Sequence, residues 1–430
     1  MSIKKITDNL FYIFIFLLPW QTVYIAREIF IDGEKFQYAT IGIYLFEIFL
    51  LLWIILNFKK IIFCNEKRLL YFLGFYSLYL LASIFWSQDK LLAANFFFVN
   101  LLGILTFLII QSSALNFKKF SFSLISSVSL SSILGLYQFF TQSTFANKYL
   151  GLSVHLAEQG GVSVIETTTG RFLRLYGSMP HPNMMGGILM IALLLSAGAY
   201  FKAQKNELRW KTFLVLTIPI NFTALIFTFS RGAWATSILG IIFLTFYFLS
   251  LEKSPKKKDV MVLFYALIIL FSIIFVAYPE IFSSRTQIDS RLEKKSISDR
   301  QTYLNENRQI ISRHPFLGVG LGNYTGNVLE NKLIKKEIWN IQPVHNLYLL
   351  SFSEIGIVGF CLLAFLIVYN LTELPHLIQQ RNTNRIIFST ILINILLISL
   401  VDHWFWTMPV GIILFWIIFG FSREKDLHCV

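Results

Sequence analysis

The residues best suited to chemistry in this chain are arginines and histidines at the ends of long apolar segments. Arg231 lies in a Ser-Arg-Gly sequence between two apolar runs, Arg300 lies in a polar segment, and His345 with Asn346 precedes a further apolar run. Arginine binds phosphate oxygens through several N–H donors at once. Histidine can accept a proton near neutral pH. These residue types predict proton transfer at a phosphate-bearing substrate that arginine binds.

Three other residues extend this set. Arg174 lies just before an apolar run, and Asp402 with His403 forms a polar pair at the end of another. Each candidate also has a structural interpretation, because an arginine near a membrane surface can act as an anchor and a histidine at a helix end can be an interfacial residue. Asp402 and His403 can bind each other, cap a helix or line a cavity. The residue types alone leave these alternatives open.

Metal and cofactor chemistry has no signal in this sequence. The chain has no DxD pair, and Cys64, Cys361 and Cys429 are too widely spaced to suggest a Cys/His cluster. The glycine-rich run at 318–322 does not fit the G-x-G-x-x-G phosphate loop and follows no strand of a βαβ unit. It is therefore predicted to form a tight turn. We expect the chemistry to need no metal and no cofactor.

Composition indicates the scaffold that must position these residues. Hydrophobic residues make up 55% of the 430 residues and charged residues only 14%, whereas a soluble domain carries about 25% charge. A membrane-crossing helix needs roughly 20 apolar residues. The sequence predicts an all-α integral membrane protein with about twelve transmembrane helices. These helices are predicted near residues 9–26, 40–57, 69–86, 92–112, 120–140, 184–201, 212–229, 232–251, 260–279, 346–370, 386–402 and 405–421.

The distribution of charge predicts the orientation of these helices. The formal net charge of +13 would suggest nucleic-acid binding in a soluble protein, but here it is typical of cytoplasmic helix ends, so membrane lipids rather than nucleic acid are the expected partners. With the N-terminus in the cytoplasm, twenty basic residues fall on the inner side near helix ends, and four fall in short outer loops. Both termini are therefore predicted to be cytoplasmic. The candidate site residues then lie on the extracytoplasmic face.

Two long outer loops divide the predicted helices. The expected organisation is membrane helices at 1–140, a first long loop at 141–183, membrane helices at 184–279, a second long loop at 280–344, and membrane helices with a cytoplasmic tail at 345–430. Loops of this length usually carry function. The second loop is expected to be partly helical, since residues from about 299 to 313 can form a helix with Arg300 and Leu304 on one face.

Several of these motifs resemble those of the O-antigen ligase and O-antigen polymerase superfamily of bacterial envelope glycosyltransferases. Arg300 and Leu304 match the R-x3-L motif of the ligases. His345 and Asn346, with Gly356 and Gly359, match the H-N-x9-G-x-x-G motif. The Ser-Arg-Gly sequence at 230–232 and the His-Pro-Phe-Leu-Gly-Val-Gly sequence at 314–320 are also similar to family motifs. The resemblance covers about residues 170 to 405.

The resemblance implies a glycan transfer reaction. Such enzymes take a glycan from a polyprenyl diphosphate carrier, typically undecaprenyl diphosphate, and attach it to an acceptor hydroxyl outside the cytoplasmic membrane. Ligases use the lipid A core as acceptor, polymerases use another lipid-linked repeat unit, and protein O-glycan transferases use a Ser or Thr side chain. The donor is then a lipid-linked glycan and the acceptor a lipid or a glycan. Neither a nucleotide sugar nor a metal is required.

The resemblance also implies roles for the candidate residues. Arg231 and Arg300 would bind the diphosphate and stabilise the charge that develops as it leaves, with Arg174 as a third candidate. His345 would orient or deprotonate the acceptor hydroxyl, and attack at the anomeric carbon would invert its configuration. Asn346 belongs to the same motif as a substrate-binding candidate. Asp402 would orient His345.

Two alternatives remain open at this point. Within the superfamily, a polymerase or a protein O-glycan transferase would share the same donor. The histidine motif favours the ligase. In a different class, twelve helices with both ends inside also fit a secondary transporter or a flippase of lipid-linked glycans. A transporter would place its polar groups near the middle of the bilayer, whereas the candidate residues here lie in outer segments.

Overall fold

The computed structural model describes residues 3–62, 67–251, 257–286, 291–331 and 338–423. Cys64, Cys429 and the last part of the predicted cytoplasmic tail, residues 424–430, lie outside these ranges. Most of the described residues are helical. The helices are α1 (Ile3–Leu17), α2 (Leu45–Asn57), α3 (Lys59–Ile62), α4 (Lys67–Trp86), α5 (Lys90–Gln111), α6 (Phe117–Thr141), α7 (Pro182–Lys202), α8 (Leu208–Phe227), α9 (Arg231–Ser250), α10 (Lys257–Ala277), α11 (Pro279–Thr286), α12 (Arg291–Arg313), α13 (Tyr324–Glu330), α14 (Leu347–Leu371), α15 (Leu374–Gln380), α16 (Thr383–Ile398), α17 (Trp404–Thr407) and α18 (Pro409–Arg423).

Helix length and hydropathy identify a membrane protein. Over the described ranges, eight helices are long and apolar enough to cross a membrane: α4 to α10, and the helix that begins at Leu347. The apolar helices α1, α2, α16 and α18 are shorter. Each of the predicted membrane segments overlaps one of these helices. The helical membrane class is thus confirmed, whereas the number of crossings stays a prediction.

Short strands between the helices depart from the all-α prediction. Within the described residues they are β1 (Val23–Arg27), β2 (Phe30–Ile31), β3 (Glu34–Lys35), β4 (Ile41–Tyr44), β5 (Val164–Glu166) and β6 (Arg171–Leu173). β1 pairs with β4, and β2–β3 and β5–β6 are antiparallel pairs. The predicted segment 9–26 is wrong at its end, since α1 stops before Pro19. Proline restricts the residue before it to extended conformations, and the β-branched residues that follow favour a strand.

The chain forms two compact units. The first contains residues 1–7, 24–115 and 296–430, and its core is built where α5 and α16 pack against α18. Gly103 on α5 allows this close approach, because a Cβ there would lie 2.3 Å from the Trp416 ring. Phe107 and Phe419 each meet the same ring edge to face. Aromatic packing of this kind fixes the helices of the first unit.

The second unit contains residues 8–23 and 116–295. Helix α7 lies at its centre, packed against α6, α8 and α9, and nearly all of its residues are buried. This helix is apolar on every side, as expected for one enclosed by other helices. Gly186 lets α9 approach, since a Cβ there would lie 3.0 Å from both Ser230 and Ala233. The turn that carries Arg231 is held against α7 in this way.

The second predicted loop is partly helical, as expected. Helices α11, α12 and α13 lie within 280–344, although α11 begins one residue earlier, at Pro279. The helix predicted at about 299–313 begins earlier, at Arg291, and ends at Arg313 as predicted. It stops there because Pro315 and the glycines of 318–322 cannot continue a helix. The last predicted segment, 405–421, is divided into α17 and α18 at Pro409, which starts a new helix in its first turn.

Candidate functional site

His345 lies immediately before α14, where its neighbour Asn346 caps the helix. The side-chain oxygen of Asn346 accepts a hydrogen bond from the Leu349 N–H at 3.0 Å, and its amide nitrogen donates to the Leu400 carbonyl at 3.0 Å. The N–H of Leu347 donates to the carbonyl of Ser399, after α16. An asparagine cap satisfies a backbone N–H that the helix leaves unpaired. The histidine is therefore placed where the start of α14 is bonded to the chain after α16.

The ring of His345 is held between two other rings. It stacks on His403 with centroids 5.2 Å apart and planes 15° from parallel, and it meets Tyr303 edge to face at 5.6 Å. Tyr38 lies 6.5 Å from the His403 ring on the edge. We call Tyr38, Tyr303, His345, Asp402 and His403 the histidine cluster. These rings come from four separate segments of the first unit.

Charges and burial together set the proton affinity of His345. Burial lowers its pKa, the Asp402 carboxylate raises it, the Arg300 guanidinium lowers it and the Asp299 carboxylate raises it, with a net pKa below the usual 6.5. The imidazole is therefore neutral at neutral pH and able to accept a proton. Its Nδ1 is buried and has no hydrogen-bond partner among the described residues, while the residue as a whole is half-buried. The nitrogen that can face a substrate is thus Nε2.

The two tyrosines and the second histidine of the histidine cluster are uncharged at neutral pH. Burial raises the pKa of the Tyr303 phenol, helped by Asp299, and burial with Asp402 raises that of Tyr38. Burial and the neighbouring His345 ring hold the pKa of His403 well below its usual range. Neutral phenols and a neutral imidazole can donate or accept hydrogen bonds without competing for the anion of a substrate.

Arg300 lies on α12 beside the histidine cluster. Its side chain is exposed and makes no hydrogen bond or ion pair with any residue in the described part of the chain. Leu304, one turn later, is also exposed, which agrees with the predicted shared face. Arg300 acts on His345 through its charge. A guanidinium in this state keeps all of its N–H donors for an anion.

The glycine-rich run at 318–322 forms a turn that packs backbone to backbone against α14. The Val319 N–H donates to the Ser353 carbonyl and the Gly320 N–H to the Glu354 carbonyl, both at 2.9 Å. These carbonyls are free because α14 is broken at Gly356, where φ is 61° and ψ is −177°. A Cβ at Gly356 would lie 2.1 Å from the Phe316 carbonyl oxygen. The predicted turn is confirmed.

The second glycine of the H-N-x9-G-x-x-G motif serves a different contact. A Cβ at Gly359 would lie 2.5 Å from the ring of Tyr79, whose hydroxyl donates to the Ile355 carbonyl at 2.5 Å. Gly359 therefore permits close packing against Tyr79, whereas Gly356 supplies the break in the helix. The motif therefore joins the histidine to a kinked helix and to the turn that packs against the kink.

Arg231 lies in the second unit at the first position of α9. The turn before it is tight, with Phe229 at φ 50°, a conformation that L residues seldom adopt. One guanidinium nitrogen of Arg231 lies 2.8 Å from a carboxylate oxygen of Glu293, and the two side chains are 51% and 6% exposed. This ion pair is a contact that the sequence did not predict. The exposed part of the guanidinium keeps further N–H donors available.

Arg174 supports that turn from within the second unit. It is buried, its Nε donates to the Thr228 carbonyl and its Nη2 donates to the Asn183 side chain, both at 2.7 Å. The ring of His181, which caps α7, accepts from the Asn183 N–H and bonds Ser163. These bonds give Arg174 a positioning role for the segment that carries Arg231. Its contact with a substrate stays a prediction.

The structure thus brings together four of the predicted residues, namely Arg300, His345, Asn346 and Asp402, in the first unit. Arg174 and Arg231 belong to the second unit and share the turn at 228–231. Sequence reasoning noted His403 only as a neighbour of Asp402 and did not select Tyr38 or Tyr303. The adjacency of Asp402 and His403 was a usable signal, whereas nothing in the sequence pattern singles out Tyr38. In the described part of the chain no group of three or more His, Cys, Asp or Glu side chains could hold a metal ion.

The fold and this site define a helical membrane protein with a neutral histidine and an exposed arginine whose charge acts on that histidine. Residues 213–364 match the family model described as Wzy_C, O-antigen ligase. Over this part of the chain, the match confirms the resemblance to the O-antigen ligase superfamily. The matched stretch contains Arg231, Arg300, His345 and Asn346, but neither Arg174 nor Asp402. No curated protein matches the chain.

Proposed function

We propose that this protein transfers a glycan from a polyprenyl diphosphate carrier, such as undecaprenyl diphosphate, to an acceptor hydroxyl at the extracytoplasmic face of the bacterial inner membrane. The observation that carries the proposal is the neutral imidazole of the half-buried His345, on which the charge of Arg300 acts. The Arg300 guanidinium is exposed and has no hydrogen-bond or ion-pair partner among the described residues. The family supplies the general substrate class, a lipid-linked glycan. The pair supplies a base and an anion-binding group in one place.

The reaction follows from the chemistry of these two groups. Nε2 of His345 accepts the proton of the acceptor hydroxyl while the hydroxyl oxygen attacks the anomeric carbon of the donor glycan. The bond between that carbon and the diphosphate oxygen breaks, and its electron pair leaves with the diphosphate. Attack opposite the leaving group inverts the configuration. Arg300 stabilises the charge on the departing diphosphate, and the Asp402 carboxylate stabilises the imidazolium that forms.

Arg231 and Arg174 are assigned to diphosphate binding on the family resemblance alone. Diphosphate binding by Arg231 is kept as a separate hypothesis. Its guanidinium is half exposed, so it can bind an anion while it remains paired with Glu293. The proposed acceptor is the lipid A core, since the histidine motif resembles that of the ligases. Transfer to a second lipid-linked repeat unit or to a protein hydroxyl would use the same chemistry. A transporter or flippase would move the carrier without forming a glycosidic bond.

The proposal is tested by measuring transfer in proteoliposomes that contain polyprenyl diphosphate-linked glycan and candidate acceptors, with a chelator present. We expect His345→Ala and Arg300→Gln each to lower the rate by roughly 10²-fold or more. His376→Ala and Arg308→Gln, which alter an exposed histidine and an exposed arginine of the same unit, should transfer at the wild-type rate. Folding of each variant is checked by size-exclusion chromatography. A folded His345→Ala protein that transfers normally would remove the base from the mechanism.

A further inference from the structure

The orientation of the His345 ring has an unusual source. A histidine that moves protons is commonly held by an acceptor that binds its second ring nitrogen. Here Nδ1 of His345 is buried without a hydrogen-bond partner among the residues that the structure describes. Asp402 acts on the ring through its charge, and its Oδ1 accepts the backbone N–H of His403 at 2.8 Å. Hydrogen bonding to described residues therefore does not fix the ring plane.

The contact that does define this plane is the stack on His403. The two imidazoles are 15° from parallel at a centroid distance of 5.2 Å, within the range of offset-stacked aromatic pairs. The edge contact with Tyr303 limits rotation on another side. A ring that lies parallel to one neighbour and nearly perpendicular to another cannot turn without losing both contacts. The direction of Nε2 is therefore set by packing.

His403 is itself held firmly enough to serve this purpose. It is buried, its Nδ1 lies 2.9 Å from the Thr407 hydroxyl, and Tyr38 packs against its ring. Thr407 ends α17, which begins directly after His403. A hydrogen bond across one helical turn fixes the imidazole relative to this helix. The stacking partner of His345 is thus part of a rigid element.

The helix that follows His345 also holds this element in place. Trp406 on α17 donates from its indole nitrogen to the Glu354 carboxylate on α14 at 2.7 Å. The same carboxylate accepts backbone hydrogen bonds from Gly322 and Tyr324. Helix α14 therefore begins next to His345, and its Glu354 binds α17, the short helix that begins next to His403. This arrangement keeps the two rings in register.

We propose that His403 is a positioning residue, which holds the ring plane of His345 so that Nε2 faces the acceptor hydroxyl. The inference rests on the proposed function, since it assumes that His345 is the base. The stack also suits the reaction: when His345 takes the proton, the neutral face of His403 can stabilise the resulting cation. The proton stays on His345 until product leaves, and His403 exchanges none. Asp402, Asp299 and Arg300 act on the same ring by charge.

The test compares His403→Ala with His403→Phe in the proteoliposome transfer assay. The alanine variant loses the stacked ring, and we expect kcat to fall roughly 10- to 100-fold with the KM for the donor little changed. Phenylalanine keeps a flat ring and should restore kcat to within about threefold of wild type. Thr407→Val removes the hydroxyl that holds the His403 ring, and a fall in kcat of several fold is expected. This variant decides the matter if His403→Ala does not fold.

Three outcomes would overturn the proposal. The first is a folded His403→Ala protein with wild-type kcat. The second is a folded His403→Phe protein no more active than the alanine variant, because the polar atoms of His403 would then matter more than its ring. The third is wild-type kcat in folded Thr407→Val. Failure of the proposed function looks different, since His345→Ala would then transfer normally whatever the His403 variants do.

Discussion

The imidazole of His345 lies among charges with opposite effects. Burial and Arg300 lower its pKa, whereas Asp402 and Asp299 raise it, and the net pKa is below the usual value. A base must be neutral to act. The rate of transfer should therefore reach its full value above this pKa and fall as the pH drops through it. The acid limb of the pH profile therefore reports the environment of one residue.

Two substitutions should move this limb in opposite directions. Asp402→Asn removes a charge that raises the pKa of His345, so the limb should shift to lower pH. Arg300→Gln removes a charge that lowers it, so the limb should shift to higher pH. The measurement is kcat/KM for transfer against pH from about 4 to 8. Shifts in the same direction, or none, would show that another group is the base.

Arg231 requires a test that separates binding from structure, because it also neutralises Glu293. We expect Arg231→Gln to lower transfer by roughly 10²-fold through loss of an anion-binding donor. The double variant Arg231→Gln, Glu293→Gln removes both charges of the ion pair. It should stay as inactive as the single variant if Arg231 binds the diphosphate. Recovery of transfer in the double variant would assign Arg231 to the ion pair alone.

For single residues, the sequence predicted which residue types form the candidate site better than it predicted which residues contact His345. Asp402 was an expected partner of His345, and the structure places its charge beside that ring. Tyr38, Tyr303 and His403 could not be assigned in the same way. The rings of the histidine cluster come from segments up to about 365 positions apart in the sequence. Such proximity is a product of helix packing, and no local pattern encodes it.

Helix α14 shows how a motif and an element depend on each other. Its first residues carry the histidine motif, and its break at Gly356 exposes the carbonyls that the glycine-rich turn binds. At the φ of 61° found here, any other residue is strained. The spacing of H-N-x9-G-x-x-G therefore measures the distance along one helix from the histidine to the kink. Periodicity predicted the helix but could not reveal its kink.

Gly356→Ala should accordingly destabilise the protein. Strain at this backbone conformation costs roughly 1–3 kcal/mol, and the new Cβ would lie 2.1 Å from the Phe316 carbonyl oxygen. Gly74 on α4 is a matched control, since no atom lies within 4 Å of a Cβ placed there. Thermal unfolding in detergent should show a lower midpoint for Gly356→Ala and an unchanged or higher one for Gly74→Ala. Equal midpoints would mean that the kink is not required.

The sequence predicted the presence of helices better than it predicted where they begin and end. Two helices, α1 and α12, show why. α1 ends before Pro19, and the apolar residues after it pair as β1 with β4. An apolar run does not distinguish a strand from the end of a membrane helix. The start of α12 was predicted too late, because its first turns contain only Leu292 and Ile297 as apolar residues and show no helical apolar pattern. Both departures arise where hydrophobic periodicity gives no information.

For the whole molecule, composition and charge distribution are the most informative features of the sequence. The low content of charged residues predicted a helical membrane protein, and the apolar helices agree with it. The distribution of basic residues goes further and predicts which side each segment faces. The proposed reaction depends on this orientation, because the histidine cluster must lie outside the cytoplasm to meet an extracytoplasmic acceptor.

Cysteine labelling tests the orientation directly. In a chain whose native cysteines are replaced by serine, Ser298→Cys lies on α12 and Lys205→Cys lies between α7 and α8, and both positions are exposed. A maleimide that cannot cross the membrane should label Ser298→Cys in intact spheroplasts and Lys205→Cys only after permeabilisation. The reverse pattern would place the histidine cluster in the cytoplasm and exclude the proposed acceptor side.

Inverting transfer is tested by analysing both products of one reaction of the reconstituted wild-type protein. We expect equal amounts of free polyprenyl diphosphate and of a new glycosidic bond, whose anomeric configuration is opposite to that of the donor. The chain length of the product separates a single transferred block from a polymer ladder. Retained configuration, or carrier that is released without a new bond, would contradict inverting transfer with His345 as the base.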